Sequence, residues 1–131
     1  MDVREDGYCF VCGPQNPIGL KARFAIDPDT KSSRCELQLS REFQGWENVV
    51  HGGMLSSLLD EAAIYACRSC GKRFVTAELK VTFRKPVAVG VPLMVSAQVV
   101  NQKRKLFEVQ AQLEQEGEIC AVAEVKAFRL D

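Results

Sequence analysis

A histidine, two glycines and an acid mark the place in this 131-residue chain where chemistry is concentrated. His51-Gly52-Gly53 opens the stretch Met54-Leu55-Ser56-Ser57-Leu58-Leu59-Asp60-Glu61-Ala62-Ala63, whose apolar residues recur at helical spacing. The glycine pair lets the backbone turn sharply and leaves its amides uncrowded, so a ligand oxygen can approach closely. Those amides are also the unpaired donors of a helix N-terminus, a setting that favours negative charge. Asp60 supplies a carboxylate among apolar neighbours. Partial desolvation there would raise its basicity toward working pH.

The spacing constrains how donor and acid could cooperate. The apolar stripe runs through Met54/Leu55, Leu58/Leu59, Ala62/Ala63, Ala66 and Cys70, and Asp60 falls off it, on the face of Gly53, Ser56, Ile64 and Cys67. Eight residues at helical rise separate Gly52 from Asp60 by roughly 12 Å. That is too far for both to act on one carbonyl within one chain. An antiparallel copy of the helix across a two-fold axis would bring Gly52 of one subunit to Asp60 of the other. An active site here is expected to be a dimer's.

The elements that must position these residues are legible on either side. Gly7 to Leu20 is rich in Gly and Pro and reads as an irregular, ordered cap. Leu20, Ala22, Phe24 and Ile26 alternate with more polar residues as a half-buried strand. Asp27-Pro28-Asp29-Thr30 turns it into Cys35, Leu37 and Leu39. Arg41 to Val50 reads as a connecting loop, and Gly71 suits the cap that closes the helix. Four longer strands follow. Their inward residues are expected to be Val75, Ala77, Leu79, Val81 and Phe83; then Leu93, Val95, Ala97 and Val99; then Phe107, Val109, Ala111 and Leu113; then Ile119, Ala121, Ala123, Val125 and Ala127. The fold class is α+β, an antiparallel six-stranded sheet wrapped around one long central helix. Residues 1–131 form a single domain, with 1–19 as its irregular N-terminal cap.

With that order and motif the chain resembles the hotdog-fold acyl-CoA thioesterases of the phenylacetate-pathway type, within the 4-hydroxybenzoyl-CoA thioesterase superfamily. The resemblance rests on His51-Gly52-Gly53 with the acid nine residues after the histidine, on Phe43-Gln44-Gly45-Trp46, and on Thr76…Phe83-Arg84-Lys85-Pro86…Gly90. It covers roughly Leu20 to Arg129. It implies that the Gly52 amide donates to the thioester oxygen, and that Asp60 of the other subunit serves as general base or nucleophile. It further implies that the Thr76 hydroxyl helps hold the attacking water. Members often carry Asn or Gln six residues before the histidine, where this chain has Gly45; Asn48 stands nearby. Thioester hydrolysis needs an oxyanion donor and a base, and one preorganised amide is worth ~3–4 kcal/mol in barrier.

The remaining candidates each have a bland reading beside the sharp one. His51 is the only histidine, which removes Ser-His and Cys-His catalysis unless it serves itself; a structural or substrate-orienting role is expected. Gly53 and Asn48 are substrate-binding candidates, Asn48 equally a scaffold residue. Phe43 and Trp46 read as packing, and Glu61 as surface near Arg68. Arg84 and Lys85, like Lys103-Arg104-Lys105, could grip coenzyme A phosphates or simply solvate a turn.

Composition limits the partners. Seventeen basic and seventeen acidic residues cancel, so no global field recruits nucleic acid or an anionic membrane. The polar start and the lack of a membrane-length apolar run suggest a cytoplasmic protein with reduced thiols. Cys35 and Cys120 fall in strand-like runs and read as core. Cys9-Phe10-Val11-Cys12 and Cys67-Arg68-Ser69-Cys70 could together make a four-thiolate zinc site, but their wide separation and the helical second pair argue for no metal. The expectation is therefore an acyl-CoA thioesterase without cofactor, a homodimer or dimer of dimers. A non-catalytic acyl-CoA-binding hotdog module is the alternative, and a hydratase or dehydratase a third reading.

Overall fold

Sixteen residues, Gly52–Cys67, form the helix α1 in a computed structural model that describes residues 1–131. Leu55, Leu58, Leu59, Ala62, Ala63, Ala66 and Cys67 are its buried residues, a three-four spacing that makes one continuous apolar stripe. Cys67 therefore belongs to the stripe and not to the Asp60 face. The helix also stops earlier than the Gly71 signal suggests. Arg68 is its C-terminal cap, Ser69 Oγ donates to the Ala66 carbonyl at 2.7 Å, and Gly71 lacks the positive φ of a left-handed cap.

Around α1 curves a six-stranded antiparallel sheet, the expected hotdog arrangement, in the order β1-β2-β6-β7-β8-β5. The strands are β1 (Ala25–Asp27), β2 (Ser32–Leu37), β5 (Phe74–Phe83), β6 (Leu93–Lys103), β7 (Leu106–Gln115) and β8 (Glu118–Arg129). The first strand is much shorter than the alternation from Leu20 implies. Lys21 takes a positive φ, Ala22 is buried through the cap, and Ile26 is exposed. Arg41 to Val50 is more ordered than a loop. A 3-10 turn at Arg41–Phe43 leads into a hairpin of β3 (Gln44–Trp46) and β4 (Val49–Val50), which delivers His51 to the helix. No helix is long and apolar enough to cross a membrane.

The helix sits close to the sheet because small residues line up beneath it. Ser33 pairs across to Ala97, Ala97 to Ala111, and Ala111 to Ala123, one buried row over four strands. The approach is close enough for Ser33 Oγ to donate to the Ala62 carbonyl at 2.6 Å. Larger side chains flank this row, and Phe107 meets Phe74 edge-on at 5.0 Å.

A second buried polar group fixes the segment between β5 and β6. Gln115 donates to the Ala88 and Val91 carbonyls at 3.1 and 3.0 Å and accepts from the Ala88 amide at 2.8 Å. The same segment holds the hairpin, since Val50 N–H donates to Val87 and Val89 N–H to Asn48.

Candidate active site

Gly52 opens α1 and Asp60 lies about two turns further along it, at mid-helix, and strand β5 runs past both. Asp60 meets Thr76, whose Oγ1 donates to Asp60 Oδ1 at 2.5 Å. Gly52 faces Phe83, and a Cβ added to that glycine would lie 3.4 Å from Phe83 Cζ. Asp60 is partly buried, and this desolvation raises its pKa above the usual carboxylate value. The Glu61 charge pushes the same way, while the Thr76 hydroxyl opposes both by favouring the ionised form.

Thr76 is brought to Asp60 by a bulge. The pairing of β5 with β8 slips between Thr76 and Glu78, so the residues before and after the slip change parity. Phe74 and Thr76 point inward ahead of it, Val81 and Phe83 beyond it. The simple alternation through Val75 and Ala77 fails at this one point.

The start of α1 is set by His51. Its Nδ1 accepts from the Gly53 amide at 2.8 Å, so His51 is the N-terminal cap, and Gly53 is occupied as its donor. Met54 and Leu55 donate to the His51 carbonyl. The Gly52 amide alone among these has no partner in the chain. Neither glycine needs a left-handed backbone here, so the pair opens no sharp turn; its lack of side chains keeps the approach to the amides clear.

Other predicted residues are not gathered at this point. Asn48 is the exposed turn residue of the β3–β4 hairpin, with φ +62°, a conformation that asparagine tolerates better than most. Its backbone amide contacts Gln44 Oε1 at 3.3 Å. Trp46 is exposed, contrary to a packing role, whereas Phe43 packs against the core. Lys85 pairs with Glu118 at 2.9 Å, and Arg84 has no ion-pair partner. Arg84 pairs to β8 at Cys120 and Lys105 at Arg129, so the two basic groups sit about 30 Å apart along β8. A broad depression lies on the far side of the sheet, lined by Arg34, Lys80, Thr82, Arg84, Gln98 and Gln110. Asp60 does not open into it.

Glu61 also departs from expectation. Arg68 pairs with Glu5 at 2.9 Å and not with Glu61, which accepts from the Cys9 thiol at 2.9 Å. Cys9, Cys12 and Glu61 form a cluster, whereas Cys67 is fully buried in the core and Cys70 lies beyond the helix. Cys35 and Cys120 are buried as expected. No sequence spacing signals the contact between the cap and Glu61, which joins residues 52 positions apart.

Comparison with known proteins bears on the family and the fold. Residues 47–122 match the family model of the thioesterase superfamily. A candidate esterase of Saccharolobus solfataricus is 34% identical over 79 residues, covering 59% of this chain and 52% of its own. Human acyl-coenzyme A thioesterase 13 is 26% identical over 74 residues, 55% of this chain and 53% of that protein. The chain thus spans about half the length of these curated relatives. A crystal structure of a thioesterase superfamily protein superposes with a TM-score of 0.86 at 23% identity, over 94% of this chain and 61% of the other. The E. coli PaaI protein from the phenylacetic acid degradation operon gives 0.73 at 24% identity, over 77% and 74%. These structures show the hotdog fold.

Proposed function

Because the chain belongs to the thioesterase superfamily, we propose that it hydrolyses acyl-CoA thioesters to free acid and coenzyme A, at sites shared between two copies. The observation that carries this reading is the Asp60 carboxyl, half-buried and bonded to Thr76 on the same strand whose far end brings Phe83 beside Gly52, the residue with the unpartnered amide.

β5 is an edge strand, ten residues long, with Leu79 and Phe83 exposed. A long edge of this kind, with one side of its main chain unpaired, is a template for pairing. Antiparallel pairing with a second β5 about an axis between Leu79 and Lys80 sets Thr76 of one copy opposite Phe83 of the other. Asp60 of one copy then faces Gly52 of the second, which removes the separation of roughly 12 Å along a single helix.

In that site ionised Asp60 takes a proton from water, and the Thr76 hydroxyl, which donates to Oδ1, keeps its oxygen free to accept from the same water. The oxygen of that water attacks the thioester carbonyl. The resulting oxyanion accepts from the Gly52 amide, at the positive end of α1. Collapse breaks the carbon–sulfur bond, and the departing thiolate takes the proton held by Asp60. His51 acts by capping, keeping the helix start in place. Arg84, next to Phe83 at the end of β5 and without an ion-pair partner, is a candidate to receive a coenzyme A phosphate.

The test is spectrophotometric measurement of thiol released from a panel of aliphatic and aromatic acyl-CoAs. Turnover of at least one is expected. Saturable binding with no turnover across the panel would instead select the non-catalytic acyl-CoA-binding reading.

A further inference from the structure

The other cluster of reactive side chains lies where the N-terminal cap meets α1. Cys9 and Cys12 share one tight turn. The Cys12 amide contacts Cys9 Sγ at 3.4 Å, and the Gly13 amide donates to the Cys9 carbonyl at 2.8 Å. Gly13 is obligatory there, since a Cβ would stand 2.4 Å from the Cys9 nitrogen and 2.5 Å from its carbonyl oxygen. The turn thus packs its backbone tightly and holds the two thiols near one another. Glu61 completes the group from the helix, and the three ligand atoms lie within 4.8 Å of one another. No lysine or arginine neutralises Glu61. Cys9 is exposed, which leaves an entry path, whereas Cys12 is half-buried.

We propose that Cys9 Sγ, Cys12 Sγ and the Glu61 carboxylate bind a divalent cation of the zinc class, with water in the fourth position. Two sulfurs and one oxygen suit a tetrahedral ion with bonds of about 2.3 Å to sulfur and 2.0–2.2 Å to oxygen. In such a tetrahedron a sulfur and an oxygen stand about 3.5 Å apart. The 2.9 Å contact between Cys9 and Glu61 therefore opens by about 0.6 Å as the thiol proton leaves. Both thiols deprotonate on binding, releasing two protons to solvent, and the ion with its three anionic ligands carries one net negative charge. The clustering that disfavours a further anion favours a cation, because one positive centre satisfies all three donors. The ion would tie the cap to α1 at the residue after Asp60. The second CxxC pair takes no part in it.

The experiment uses the full-length protein, reduced and treated with chelator, titrated with cobalt(II) without oxygen. A thiolate-to-cobalt charge-transfer band in the near ultraviolet is expected, saturating at ~1 ion per chain and displaced by zinc. Cys9→Ser and Cys12→Ser should each remove it, Cys70→Ser should leave it, and Glu61→Gln should weaken cobalt binding by roughly 10- to 100-fold. Circular dichroism checks that each variant is folded. The wild-type titration decides even where a variant does not fold: no charge-transfer band in reduced protein overturns the proposal. So does a band that survives Cys9→Ser in folded protein, or one that Cys70→Ser abolishes.

Discussion

Thr76 reaches Asp60 across a backbone irregularity: the slip in pairing beside Thr76 turns its hydroxyl inward, onto Oδ1 at 2.5 Å. Without that slip the strand would present Ala77 to the helix and leave the acid without its donor.

Asp60→Asn keeps the shape and the oxygen that accepts from Thr76, but removes the base. Thiol release from the best acyl-CoA is expected to fall by ~10²–10⁴-fold, with an unchanged circular dichroism spectrum. A variant that hydrolyses at the wild-type rate would remove Asp60 from the mechanism.

Thr76→Val deletes a donor that favours ionised Asp60, so the carboxyl's pKa moves further upward. A base works only when ionised, so the rate falls as pH drops through that pKa. In chelator-treated protein the acid limb of the pH–rate profile is thus expected at higher pH for Thr76→Val, and restored by Thr76→Ser. Coincident profiles for all three proteins would show that the hydroxyl does not tune the acid.

Sharing of the site can be read by mixing two inactive proteins. Gly52→Pro removes the donor amide at the first helical position, where proline is well tolerated. Co-expressed with Asp60→Asn, it should form mixed dimers with one intact site each. About a quarter of wild-type activity is expected from random pairing at equal expression. A mixture as inactive as its components would place donor and acid in the same chain.

Ala111 tests the packing of α1 on the sheet. Leucine there intrudes on the buried row of small residues over which α1 lies, and should cost ~1–3 kcal/mol in denaturant unfolding. Gln110→Ala, on the outer face, should stay within about 0.5 kcal/mol of wild type. Equal stability of the two variants would mean that the helix has room to move away.

Much of this architecture is legible before any coordinates. The three-four spacing from Leu55 onward specifies a buried helix stripe, and the alternation over Val95–Ala97, Phe107–Leu113 and Ala121–Ala127 specifies the inner sheet face. Ile119, expected inward, is instead exposed where the β7–β8 pairing slips beside Glu114, and Cys120 is buried in its place. Periodicity fails where one residue interrupts it. The bulge beside Thr76 is a backbone choice that side-chain types do not mark. The capping bond of His51 turns on one rotamer, and Glu61 meets Cys9 only because the cap folds back over α1. Trp46 reads as packing by residue type, yet the small hairpin leaves it exposed.

One buried amide has reach beyond its own neighbourhood. Gln115, the last residue of β7, fastens the segment that carries the β3–β4 hairpin, and that hairpin ends at His51. The height of the first helical turn above the sheet is thereby handed down a relay of main-chain bonds from a residue outside the candidate site. A shortened side chain at Gln115 would tilt that turn with every residue around Asp60 unchanged. Directed evolution for altered selectivity should accordingly find beneficial changes at the far tip of β7.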